Sequence, residues 1–130
     1  MNAPSSIDAL HELLIEAAET ERRLPAALPR YRGSWWPEAL PEWLSYADET
    51  TEVKLGSATS EQVTRYDNLA KQMINVPVDD RRLLWAVAHA GAFRQRGPSW
   101  AKVARYMHCD RRTAKRRYEE ALIGLWYAWN

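Results

Sequence analysis

Apolar residues recur at three- and four-residue steps through most of the chain, a period that predicts helices rather than strands. Trp100, Val103, Ala104 and Met107 form one such stripe, leaving Lys102, Arg105 and Tyr106 off it, facing outward or toward a partner. From Arg111 onward the stripe is Ala114, Tyr118, Ala121, Leu122, Leu125 and Trp129, and Arg111, Arg112, Thr113, Lys115 and Arg116 point away from it. Gly97-Pro98-Ser99 stops the preceding segment and offers Ser99 as an N-cap, while Asp110 offers a second cap after the turn His108-Cys109-Asp110. Two helices across a short turn, with cations massed on the second, have the outline of a helix-turn-helix DNA reader. Ala104 and Ala114 supply small residues where two steeply crossing helices must approach closely. The turn position that usually holds glycine is His108, which tolerates a left-handed backbone less well than glycine but better than a β-branched residue would.

The same period marks helices ahead of this motif. Ser5 or Ser6 caps one that carries Ile7, Leu10, Leu14, Ala17, Ala18 and Leu24, with an acidic opposite face ending in Arg22-Arg23. Pro25, Pro29 and Gly33 make an irregular connection, and Pro37 suits the first turn of a helix after Trp35-Trp36. Ala47 to Ser57 reads as an exposed loop with a short extended piece at Val53 to Leu55. Thr59 with Gln62 makes a capping box for a helix bearing Val63, Tyr66, Leu69, Ala70 and Met73, which Asn75-Val76-Pro77 ends. Asp79-Asp80 opens the next helix, with Leu83, Leu84, Val87 and Ala88 inward, Trp85 on the flank, and Gly91 or Gly97 closing its region. The expected fold is all-α with about six helices in a single domain over residues 1–130. Residues 1–75 form an N-terminal helical and aromatic body, and residues 76–130 a helix-turn-helix region whose extended second helix packs on it.

Composition narrows the setting. A chain of 130 residues with seven Trp and six Tyr can build a core without a disulfide or metal staple, and its single Cys109 has no internal partner. With neither a signal-peptide pattern nor an apolar run of spanning length, the expectation is a cytoplasmic protein that makes no use of a membrane. Net charge is only +1, but it is unevenly placed. Residues 1–93 hold 9 Lys/Arg against 14 Asp/Glu, a balance of −5, whereas residues 94–130 hold 9 against 3, a balance of +6. An acidic body repels phosphate and a basic end attracts it, so the asymmetry turns the C-terminal motif toward nucleic acid.

Catalytic chemistry finds no constellation. His11, His89 and His108 occur singly, no glycine-rich phosphate loop is present, and the carboxylates are scattered over solvated helical faces. His108-Cys109-Asp110 contains metal-ligand types, but adjacent residues seldom converge on one ion and no second ligand pair follows at zinc spacing. No catalytic residue, metal ligand or cofactor is therefore expected. Tyr31, Trp35, Trp36, Trp43 and Tyr46 place five aromatics within sixteen residues, beside Arg30 and Arg32. Beside prolines they read first as a clamp onto a helical core, with a protein-contact patch or stacking on single-stranded bases as alternatives. Trp126, Tyr127 and Trp129 either fold back on the N-terminal helix or form an oligomer interface; with Trp35 and Trp36 they are the candidate protein contacts.

The order of elements from Val76 to Leu125 resembles the DNA-binding region of sigma factors, region-4-like, and of response-regulator-type helix-turn-helix domains. With ETERRLP (Glu19 to Pro25), SWWPE (Ser34 to Glu38) and DDRRLLWA (Asp79 to Ala86), the whole chain resembles an uncharacterised family of small helix-turn-helix proteins from phages, prophages and alphaproteobacteria. The resemblance implies no catalytic residues. It implies that Arg111, Arg112, Thr113, Lys115 and Arg116 lie on the groove-facing part of a recognition helix, and the chain departs from the pattern at His108 and in GAFRQRGP before Ser99. Phosphate contacts then fall to Arg94, Arg96, Ser99, Lys102, Arg105 and Arg117. Arg112 with Arg116, or Arg111 with Lys115, would read bases, and Thr113 can meet a thymine methyl; the period leaves the choice of pair open. The expected function is sequence-specific binding of double-stranded DNA by a phage-like transcription regulator, with a homodimer, RNA polymerase or another transcription protein as partner. The alternatives are a DNA-packaging subunit of the small-terminase kind and a polymerase-binding module.

Overall fold

The computed structural model describes residues 3–24 and 56–130. Among them are five helices and no strand: α1 (Ile7–Arg23), α2 (Ser60–Met73), α3 (Val78–Gly91), α4 (Trp100–Met107) and α5 (Arg111–Trp129). About six helices were expected; the one opening at Pro37 lies outside the described residues, as do Trp35, Trp36, the aromatic cluster from Tyr31 to Tyr46 and the extended piece at Val53 to Leu55.

Local chemistry sets the helix ends. The Ser6 hydroxyl accepts the Ala9 N–H at 3.1 Å, opening α1. Thr59 and Gln62 exchange both bonds of a capping box, 3.2 and 2.9 Å, opening α2. Pro77 precedes the first residue of α3, where a missing N–H costs no helical bond. The Asp110 carboxylate accepts the Thr113 N–H at 2.6 Å, opening α5. Ser99 precedes α4, but its side chain makes no cap bond. That helix is instead held by packing, with the Trp100 ring edge-on to Tyr118 at 5.5 Å between centroids.

One core cluster draws on all five helices. α1 contributes Leu10, Leu14, Ala17 and Ala18; α2 contributes Tyr66, Leu69 and Met73; α5 contributes the predicted Ala114, Tyr118, Ala121, Leu122 and Leu125. α3 is the central element, touched by α1, α4 and α5, and every residue from Leu83 to Gly91 is buried. Trp85, expected on a flank, is fully buried at 0% exposure because neighbours on several sides leave α3 without a flank there. Its indole meets Tyr66 edge-on at 6.3 Å and His89 at 4.9 Å. Gly91 sits in a similarly close-packed place: a Cβ there would lie 3.2 Å from Ile15 Cδ1 and 3.3 Å from Pro98 Cγ, so α1 and the α3–α4 loop would have to give by a few tenths of an ångström. The acidic side of α1 is also less open than the sequence predicts. Thr20 and Glu21 are buried, and Thr20 places its hydroxyl on the Glu16 carbonyl of its own helix at 2.8 Å.

Candidate nucleic-acid interface

The candidate site is assembled where α4 ends and α5 begins. His108 takes the left-handed conformation, φ 56°, ψ 44°. Its N–H bonds to the Arg105 carbonyl at 3.3 Å, and the Cys109 N–H to the Ala104 carbonyl at 3.0 Å. These are the paired bonds of a Schellman ending, made here by histidine rather than glycine. Two residues later Asp110 caps α5. Bonds from the Thr113 N–H and hydroxyl hold the Asp110 carboxyl below its ordinary range, and the nearby Arg112 and Arg116 guanidinia act in the same direction. Ala104 and Ala114 are both buried, and α4 and α5 pack closely on each other and on α3. The three-helix arrangement offers the start of α5 to solvent.

On α5, Arg111, Arg112, Lys115, Arg116 and Arg117 are exposed and Thr113 is half-buried. At about 100° per residue, Arg112 and Arg116 project opposite the buried Ala114, Tyr118 and Leu125. Lys115 is turned toward α1, where it lines a groove of about 470 Å³ with Asp8, His11 and Trp100. At the floor of that groove the Tyr118 hydroxyl lies 2.5 Å from His11 Nδ1. Burial, then the Glu12 charge, pushes the Tyr118 phenol well above its ordinary range, so it stays neutral and able to donate.

Of the other candidate cations and polar groups, Arg94, Arg96 and Arg105 are exposed and Ser99 and Lys102 half-buried. Tyr106, off the apolar stripe, is half-buried and packs on the core rather than facing out. Among the described residues, none of the nine cations from Arg94 to Arg117 has a carboxylate within ion-pair distance. The helix dipole sharpens this. α1, α2 and α3 carry Asp8, Glu61 and Asp79-Asp80 in their first turns and cations or His89 in their last turns, the favourable arrangement. α5 reverses it, with Arg111 and Arg112 at its positive end and no acid in its first turn.

The candidate protein contacts divide. The Trp126 indole N–H donates to the Pro4 carbonyl at 3.2 Å, and Trp129 is half-buried against the core. Tyr127 is 67% exposed. Among the described residues no group of three His, Cys, Asp or Glu side chains could hold a metal ion, and no helix is long and apolar enough to cross a membrane.

Sequence reading missed the contacts made by the last turn of α1. Glu19 Oε2 accepts the Phe93 N–H at 2.8 Å, and Arg22 Nη2 donates to the His89 carbonyl at 3.2 Å. The Arg22 and Arg23 guanidinia lie over the Phe93 ring at 5.9 and 5.3 Å. The signal was the spacing in ETERRLP, which puts Glu19, Arg22 and Arg23 on neighbouring turns of one helix side.

Comparison with known proteins brings up no match among curated proteins or solved structures. The family described as a domain of unknown function, DUF6362, matches residues 22–125, from the last turn of α1 to Leu125 in α5. Since that span takes in α2, α3, α4 and most of α5, the chain belongs to the DUF6362 family.

Proposed function

We propose that this protein binds double-stranded DNA sequence-specifically, as a transcription regulator of phage-like type, through α4, the His108 turn and the first two turns of α5. The observation that carries this reading is the reversed charge at the start of α5. Arg111 and Arg112 sit where a helix disfavours cations, with no acid beside them but the capping Asp110. A duplex supplies the missing anions. Arg112 and Arg116, outward and four residues apart, are the base readers, each able to grip guanine with two bonds. Arg111 and Lys115 flank them, and Arg94, Arg96, Ser99, Lys102, Arg105 and Arg117 meet phosphates. One such helix reads a short site, so useful specificity calls for a second copy or a DNA-bound partner such as RNA polymerase.

Fluorescence anisotropy against a selected duplex, repeated across salt concentrations, tests the reading. Binding should weaken steeply as salt rises, because phosphate neutralisation releases counterions. Arg112→Ala and Arg116→Ala should each cost about 1–3 kcal/mol of discrimination against the wrong base pair. No duplex binding at low salt, or binding unchanged when Arg112, Lys115 and Arg116 are all replaced, refutes it. The packaging alternative draws on the apolar outer side of α5, where Tyr127 and Ile123 are exposed. Particle mass in solution separates the two, a ring of many copies supporting packaging and a monomer or dimer supporting regulation.

A further inference from the structure

Phe93 is a non-glycine residue in the left-handed region, φ 59°, at the point where the chain leaves α3. An aromatic residue is uncommon there, and such a conformation persists only when its surroundings over-determine it. Part of the hold is local, a turn about Ala92 and Phe93 that the Arg94 N–H closes on the Gly91 carbonyl at 3.2 Å, and the rest comes from the end of α1. Glu19 accepts the Phe93 N–H at 2.8 Å, Arg22 donates to the His89 carbonyl at 3.2 Å, and both Arg22 and Arg23 cover the Phe93 ring. The close approach this requires is permitted by Gly91, against which Ile15 and Pro98 pack. The next residues are Arg94, Gln95 and Arg96, all exposed, and then Gly97, also left-handed at φ 83°, which delivers the chain to α4.

We infer that Glu19 is a positioning residue: through the Phe93 backbone it sets the loop that presents Arg94 and Arg96 as a phosphate clamp on the duplex that α5 reads. The inference rests on the proposed DNA binding and extends it to a residue of α1 that touches no nucleic acid. Holding Phe93 left-handed before the duplex arrives removes an ordering cost from binding. Arg22 and Arg23 serve the same end by fastening the ring and the end of α3.

The test is a double-mutant cycle on duplex binding by the full chain, read as the slope of log affinity against log salt. Glu19→Ala should lower the slope by about two, one for each phosphate no longer neutralised, and weaken binding about tenfold at physiological salt. Glu19→Gln, which keeps an acceptor oxygen, should recover part of that loss. In a chain already carrying Arg94→Ala and Arg96→Ala, Glu19→Ala should change neither slope nor affinity further, while Arg112→Ala should still act in full. Phe93→Gly keeps the N–H that Glu19 accepts and takes the left-handed backbone without strain, so it should fold and keep most of the wild-type slope, and Glu19→Ala added to it should still make the slope shallower. An unchanged slope in Glu19→Ala, or effects that add fully to those of the two arginine substitutions, overturns the inference and leaves DNA binding standing. A wild-type chain that binds no duplex overturns both.

Discussion

His108 and Asp110 stand two residues apart and make opposite local demands. A left-handed backbone costs an L-residue roughly 1–2 kcal/mol, of which glycine recovers a part after its greater chain entropy is counted. His108→Gly should therefore stabilise the protein by about 0.5 kcal/mol, and His108→Val should destabilise it by about 1 kcal/mol or more, both read by denaturant unfolding. Asp110 acts through charge. Its carboxyl is held low by the Thr113 bonds and by Arg112 and Arg116, so the unfolded chain binds the proton more readily. The stability this contributes is complete above the unfolded carboxyl range near about pH 3.9 and is lost as pH falls through the lower, folded value. Asp110→Asn keeps an acceptor for the cap and should remove that part of the acid dependence. Melting curves from about pH 2 to about pH 6 compare the two proteins, and parallel curves below about pH 4 would refute the assignment.

At the scale of the element, α5 is asymmetric. Its buried stripe runs from Ala114 to Leu125, so packing fixes the helix along much of its length, whereas its first turn carries cations against the dipole. Stability and binding should then trade off. Arg111→Gln together with Arg112→Gln should raise the melting midpoint by about 1–4 °C while weakening duplex binding; a fall in both would show that the cations serve the fold. Much of this element is legible from sequence, because its apolar period, the Asp110 cap and the outward arginines are local features. The choice between Arg112 with Arg116 and Arg111 with Lys115 is not local. It depends on where α1 lies: Lys115 shares a groove with Asp8 and His11 of that helix, and Arg112 and Arg116 are not among its lining residues.

At the scale of the whole molecule, α3 joins the acidic half to the basic half. Trp85 lies inside it, between Tyr66 of α2 and the ring of His89. Trp85→Ala should cost about 3–5 kcal/mol, a large share of the roughly 5–15 kcal/mol that stabilises a domain. Because the cluster is continuous from α1 to α5, helicity and duplex binding should disappear in one thermal transition; duplex binding retained after α1 melts would contradict a shared core. The all-helical fold, most of the helix ends and the exposure of the α5 arginines followed from the order of residues, since period, caps and charge act over a few positions. The burial of Trp85, the inward face at Thr20 and Glu21, and the hold of Glu19 on Phe93 were decided only by tertiary structure. Glu19 and Phe93 stand 74 positions apart, and no local period encodes which helix end will meet which loop.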